Sequence, residues 1–235
     1  MKEEILDNND ITTKDIVIEV NLYGIIKRFI DIIISLISLI PLMILVIIVK
    51  ILYMLSGDFH SIFFNFERIG LNGKMFKMYK FRTMIPNADE ELKRILKEDK
   101  KLAKEYKKYK KMSDDPRITK VGKLLRISSL DEVPQFINVL KGDMTLVGPR
   151  PYLGREKKDM GKYYKIVTRV KPGLTGYWQV NGRNDTDFKA RLKLDEEYIK
   201  IRSLKIDMII FFKTFKKLID RAGAKWWKGL LSMYL

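Results

Sequence analysis

Phe29-Ile-Asp-Ile-Ile-Ile-Ser-Leu-Ile-Ser-Leu-Ile-Pro-Leu-Met-Ile-Leu-Val-Ile-Ile-Val49 is an apolar run of 21 residues in which Asp31 is the only charge. A helix needs about 20 apolar residues to cross the hydrocarbon of a bilayer, so this stretch decides the architecture: a membrane segment to which the rest of the chain is attached. Pro41 stands past its middle. A proline inside a helix withholds one N–H donor and clashes with the carbonyl four residues back, so a bend is expected there. Ser35 and Ser38, just upstream, are placed to re-satisfy freed carbonyls. Lys27 and Arg28 guard one end and Lys50 the other. Cationic flanks on both sides suit a helix that enters, bends and returns to the cytosolic face, and suit equally a kinked single pass. Lys2, Lys14, Lys27 and Arg28 leave 42 of the 46 Lys and Arg residues beyond position 28, which puts the C-terminal part in the cytoplasm in either topology.

Upstream, residues 1–24 form an acidic tail with Glu3, Glu4, Asp7, Asp10, Asp15 and Glu19, expected to be weakly ordered. It lacks the basic start and small-residue cleavage site of a secretory signal. Downstream, Asn72-Gly73 between aromatic, alternating flanks predicts a β-hairpin over 62–84, whose second strand delivers Lys80 and Arg82 at its end. Residues 87–111 read as one charged helix with Asn87 and Glu90 as a capping box. Its ten Lys and Arg side chains fit a solvated face, or contact with anionic lipid at about 1 kcal/mol per basic residue. Lys171–Asn184 is a Gly-rich loop and strand stretch, and helices are expected over Phe188–Ile201 and Leu204–Ile219. Trp226, Trp227 and Tyr234 with Lys225 and Lys228 suit a membrane interface. The division expected is a tail over 1–24, a membrane helix over 25–55 and a cytosolic catalytic domain over 56–235.

Composition narrows the chemistry. The chain of 235 residues has no Cys, which excludes disulfides, thiolate nucleophiles and Cys-ligated zinc. Its single His, His60, excludes His-based triads and multi-His metal sites. The net charge of +17 implies an anionic partner: nucleic acid, an anionic membrane surface or a phosphorylated substrate.

Arg126-Ile-Ser-Ser-Leu-Asp-Glu-Val-Pro-Gln135 carries the adjacent carboxylates Asp131 and Glu132, and Gly148-Pro-Arg-Pro151 follows. Ser129 and Glu132 match a capping box and Pro134 belongs near a helix start, so the dyad is expected in the first turn of a helix. There the backbone N–H groups favour negative charge and bind phosphates. An ionised carboxylate at such a place can attack phosphorus. Two carboxylates facing a pyrophosphate call for a divalent cation, and Mg²⁺ is content with one or two carboxylates plus substrate phosphates. Arg150, stiffened between Pro149 and Pro151, presents a planar fork that matches phosphate oxygens. Arg126, Arg82 and Lys80 complete a cationic, carboxylate-centred site, although each taken singly is as readily a structural ion pair.

These segments together resemble the bacterial sugar transferases, the monotopic phosphoglycosyl transferases. The resemblance runs through Lys27-Arg-Phe-Ile-Asp31, Phe66-Glu-Arg-Ile-Gly-Leu-Asn-Gly-Lys74, Tyr79-Lys-Phe-Arg-Thr-Met84, Asp115-Pro-Arg-Ile-Thr-Lys-Val-Gly122, Ser129-Leu-Asp-Glu-Val-Pro-Gln135, Lys141-Gly-Asp-Met-Thr-Leu-Val-Gly-Pro-Arg-Pro151 and Lys171-Pro-Gly-Leu-Thr-Gly-Tyr-Trp-Gln-Val180. It implies an α+β, mainly helical fold: a re-entrant membrane helix, a β-hairpin and a cytosolic helical catalytic domain with amphipathic interfacial helices. It also implies transfer of a hexose 1-phosphate from a UDP-hexose to undecaprenyl phosphate, with release of UMP, at the start of exopolysaccharide, capsule or O-antigen-type assembly. Asp131 would carry the phosphosugar, and Glu132 would support Mg²⁺. Lys80, Arg126 and Arg150, with the Pro149 and Pro151 frame and Arg82 nearby, would hold the nucleotide and phosphates. The setting implied is the bacterial inner membrane with the catalytic domain facing the cytoplasm, membrane lipid and at most a second copy of the chain as partners, and no nucleic acid. The Gly173-Leu-Thr-Gly-Tyr-Trp-Gln-Val180 stretch looks like the longer, polysaccharide-initiating branch. Two departures stand out. Longer members precede this core with membrane helices and a further domain, against 24 residues here, and the Ser-Pro pair common at the family's helix break is Ile40-Pro41.

Overall fold

The computed structural model describes residues 22–109, 112, 115–181 and 187–217. The expectations for residues 1–21 and 218–235, including the tryptophan-rich end, lie outside them.

Helix α1 (Leu22–Leu55) takes in the whole apolar run and is continuous through Pro41. At 1.5 Å per residue it is about 50 Å long. Its fully buried residues are Asp31, Ser35, Leu42, Val49 and Tyr53. Steps of four, seven, seven and four residues keep these on one line along a 3.6-residue helix. That line packs on the rest of the chain from end to end, while Ile37, Ile40, Met43, Ile44, Ile47 and Ile51 face outward. The serines act differently from the sequence expectation. Ser38 Oγ donates to the Ile34 carbonyl at 2.8 Å, whereas the acceptor that Pro41 strips is Ile37, and the Ser35 hydroxyl is buried without a partner.

Strands β1 (Phe63–Ile69) and β2 (Met75–Phe81) form the expected antiparallel hairpin, in a register that pairs Phe63 with Phe81 and Ile69 with Met75. Asn72 and Gly73 both take positive φ, the conformation Asn-Gly supplies without strain. The expected single helix over 87–111 is two, α2 (Ala88–Glu98) and α3 (Lys100–Tyr109). Asp99 breaks it, since its carboxylate accepts the amides of Lys101 and Leu102 and starts a new helix. Asn87 makes no side-chain cap.

Helix α4 (Lys120–Ser128) is capped by Thr119, whose hydroxyl accepts from the Gly122 amide at 2.9 Å. Helix α5 (Gln135–Lys141) ends at Gly142 in the left-handed conformation. Strand β3 (Thr145–Val147) pairs in parallel with β4 (Gly173–Thr175). Between them lie α6 (Lys157–Met160) and α7 (Tyr163–Val167). Tyr177–Asn181, expected as part of a loop and strand stretch, is the short helix α8. Helix α9 (Phe188–Ile201) matches the sequence expectation and is capped by Asp187. Helix α10 covers 204–217. It buries Asp207 and Ile210 and turns Met208, Ile209, Phe212 and Phe215 outward, an apolar face beside lysines that suits a membrane interface.

Both ends of α1 are tied to this assembly. At the first, Lys27 reaches the Val147 carbonyl and Asp207, while Arg28 donates to the Val139 and Leu140 carbonyls, the open C-terminal groups of α5. Asp31 accepts the Leu146 amide at 2.9 Å. At the other end the Tyr53 hydroxyl donates to the Arg82 carbonyl, and the Arg82 guanidinium lies 4.4 Å above the Tyr53 ring.

Candidate active site

Asp131 and Glu132 occupy a single 3₁₀ turn (Leu130–Glu132) between α4 and α5. This corrects the expected capping box. Ser129 is left-handed, closes α4 with its own amide and makes no side-chain cap, and α5 begins only at Gln135. The dyad therefore stands one turn ahead of the helix start. Sequence spacing could not distinguish this, because the motif Ser-x-x-Glu fits either geometry.

Lys80, next to the end of β2, places Nζ 2.5 Å from Glu132 and 3.6 Å from Asp131. The Asp131 side chain is 13 % exposed and that of Glu132 44 %. Burial pushes the Asp131 carboxyl above the ordinary carboxylate range; Lys80 and Arg126 pull against that rise and Glu132 adds to it. Arg126 is anchored through Nε to the Thr83 hydroxyl at 2.9 Å. The strand is held against the dyad by Asn138 of α5. Its amide accepts the Tyr79 N–H at 2.9 Å and donates to the Lys77 carbonyl at 2.7 Å, as a neighbouring strand would. Asn138 is fully buried and had no signal beyond a polar residue inside an apolar helix face.

Arg82 does not join the site. Its guanidinium donates to the Ser61 and Met84 carbonyls and to Asp58 at 2.9 Å, and it is 7 % exposed. Alternation decides this: in a strand Lys80 and Arg82 share one face, but β2 ends at Phe81, and Arg82 turns back under Tyr53.

Pro149-Arg150-Pro151 follows β3 and is clamped from three sides. The Gly173 amide donates to the Pro149 carbonyl, and the Ile69 amide donates to the Tyr152 carbonyl. From α9, Asp195 accepts the Arg150 amide at 3.2 Å and the Tyr152 hydroxyl at 2.7 Å. Gly148 and Gly173 are required here, since a Cβ on Gly173 would lie 2.1 Å from the Gly148 nitrogen. The Arg150 and Arg191 guanidiniums lie 5.6 and 5.2 Å from the Trp178 ring. Asp195 is fully buried, and burial pushes its carboxyl up to about 7. Sequence reasoning missed Asp195, Trp178 and Arg68. The last of these stood inside a quoted motif, Phe66-Glu-Arg68, without a role.

Among the described residues no cluster of three metal-ligating side chains exists. Asp131 and Glu132 are the hard oxygen donors at the dyad, and Mg²⁺ accepts such a pair when substrate phosphates and water fill the remaining positions. The residues therefore fit that ion.

The bacterial sugar transferase profile matches residues 22–221. The chain belongs to that family. It is 44% identical over 172 residues to the undecaprenyl-phosphate galactose phosphotransferase of Salmonella typhimurium, covering 73% of this chain and 36% of that protein. It is 42% identical over 191 residues to the exopolysaccharide production protein ExoY of Sinorhizobium fredii, covering 81% and 84%. It is 37% identical to the UDP-glucose:undecaprenyl-phosphate glucose-1-phosphate transferase of Escherichia coli, covering 69% and 34%. The chain thus spans about a third of the first and last of these relatives and most of the second.

Proposed function

We propose that this chain transfers a hexose 1-phosphate from a UDP-sugar to undecaprenyl phosphate, releasing UMP, through a phosphosugar held on Asp131. The observation that carries this is the Asp131 carboxylate, shielded from water and 3.6 Å from Lys80, in a turn beside Arg126. The names of the relatives supply the UDP-sugar and the undecaprenyl phosphate.

In the first step an Asp131 oxygen attacks the sugar-linked phosphorus. A P–O bond forms, the bond to the bridging oxygen breaks, and UMP leaves with that electron pair. In the second, an oxygen of the lipid phosphate attacks the same phosphorus, and Asp131 departs as a carboxylate, giving the diphosphate-linked sugar. Lys80 offsets charge where the dyad meets the phosphates, and Arg126 adds to it. Arg150, with its backbone fixed by Asp195, offers a fork for phosphate oxygens. Mg²⁺ held by Asp131 and Glu132 would screen the diphosphate from the dyad.

The membrane geometry belongs to the same reading. Both ends of α1 are hydrogen-bonded to one assembly, through Lys27 and Arg28 at the first and Tyr53 at the last. A helix crossing the bilayer would put those ends on opposite sides. A segment that enters and returns on the cytoplasmic face of the inner membrane, with α10 lying in the interface, satisfies both. There the dyad meets a lipid phosphate at headgroup depth and a soluble donor from the cytoplasm.

The test is UMP release by detergent-purified protein from a panel of UDP-sugars, with Mg²⁺, with and without undecaprenyl phosphate. Lipid-dependent release from one donor supports the reading and names the sugar; no release from any donor sinks it.

A further inference from the structure

Arg68 lies on β1 beside the Pro149–Pro151 turn, where it forms an antiparallel bridge with Leu153. It is 9 % exposed, and its Nε and Nη1 atoms are out of solvent contact and donate to no acceptor. Burying a charge without partners is costly, and proteins avoid it unless something else satisfies the group. The nearby carboxylates are already committed: Glu132 to Lys80, and Glu156 to the Leu153 amide. Instead Arg68 faces further positive charge. Its guanidinium is pushed down to about 10, first by burial and then by Arg150, with Arg155 adding to the effect and Glu156 and Glu132 opposing it. Phe66 covers one face at 4.4 Å, which leaves the N–H edge as the side on which an acceptor can sit. An unpartnered guanidinium beside the Pro-Arg-Pro turn, facing the positive charges of Arg150 and Arg155, is the arrangement that a dianion completes.

We propose that Arg68 is a phosphate-binding residue, taking two oxygens of a phosphate monoester that lies between the dyad and Arg150. The inference rests on the function proposed above, in which two monoesters visit the site: UMP leaving and the lipid phosphate arriving. Neither nitrogen meets solvent, so the anion reaches them through a shift of the guanidinium or of the 149–156 turn. A guanidinium is suited to this because its planar fork pairs with two phosphate oxygens at once, which an ammonium cannot do.

The experiment is calorimetric titration of the full chain in detergent, wild type against Arg68→Gln and Arg68→Lys, with UMP in one arm and a short-chain polyprenyl phosphate in the other. The expected result is at least a tenfold loss of affinity in one arm for Arg68→Gln, a smaller loss for Arg68→Lys, and little change in the other arm. The arm that weakens identifies the monoester. Unchanged affinity in both arms, or no binding of either compound by wild type, overturns the proposal. If Arg68→Gln does not fold, a structure of the wild type with each compound decides. A phosphate oxygen within about 3.2 Å of Nε or Nη1 supports the assignment, and a phosphate seated elsewhere overturns it. Asp131→Asn is assayed beside these variants. Full turnover there would sink the covalent reading while leaving the Arg68 binding result to stand or fall by itself.

Discussion

Asn138 Oδ1 accepts the backbone amide of Tyr79 at 2.9 Å, so a helix side chain fills the place of a third strand beside β2. Through that bond, and its Nδ2 bond to the Lys77 carbonyl, α5 fixes the strand that carries Lys80 against the turn that carries Asp131. Asn138→Ala should cost about 2–4 kcal/mol, since it empties a fully buried site and leaves a backbone amide and a carbonyl unpaired. It should also lower kcat at temperatures where the variant remains folded. Chemical denaturation and steady-state kinetics on one preparation check both.

Lys80 and Arg82 stand two residues apart and should respond differently. Lys80→Ala removes the cation beside Asp131 and is expected to lower kcat by about 100-fold or more with little loss of stability. Arg82→Ala breaks a largely buried pair with Asp58 and should cost about 3 kcal/mol. Donor KM should hardly change. A raised donor KM in a stably folded Arg82 variant would return Arg82 to the site.

Asp195 should make stability depend on pH. Its carboxyl is raised to about 7 in the folded chain by burial, so the folded state binds the proton more tightly than the unfolded state does. The contribution is full below the unfolded value near pH 4, declines as pH rises, and is lost once pH passes about 7. Asp195→Asn removes the titration. The variant's stability relative to wild type should therefore rise by about 2.6 kcal/mol between pH 5 and pH 8, nearly all of it below pH 7 at about 1.4 kcal/mol per pH unit. Parallel urea titrations at the two pH values would measure it.

The absence of Cys makes topology directly measurable, because any cysteine introduced is the only one present. Leu22→Cys and His60→Cys place thiols at exposed positions at and beyond the two ends of α1. In inverted and right-side-out vesicles, both should react from the cytoplasmic side. Labelling from opposite sides would establish a spanning helix.

Period and composition made the scaffold legible. The apolar run, the Asn-Gly hairpin and the α9 pattern each declare themselves within a dozen or two residues, and the structure follows them. The misplacements are local competitions. Asp99 offers the backbone a cap inside a helical pattern, and Ser129 closes α4 instead of opening α5. At the site, Asp131, Glu132, Lys80 and Arg126 could be read from residue type. Asn138, Asp195 and Arg68 act across 43 or more residues of chain or through buried charge, and no local pattern encodes that.

The central claim is a covalent phosphosugar on Asp131, and intact-mass analysis of the protein after brief exposure to its UDP-sugar donor, with Mg²⁺ and without acceptor lipid, tests it most directly. The account predicts an added mass of one hexose phosphate, located on the Asp131 peptide, absent from Asp131→Asn and discharged on adding undecaprenyl phosphate. Lipid-dependent UMP release with no adduct on Asp131, or undiminished release by Asp131→Asn, would contradict it.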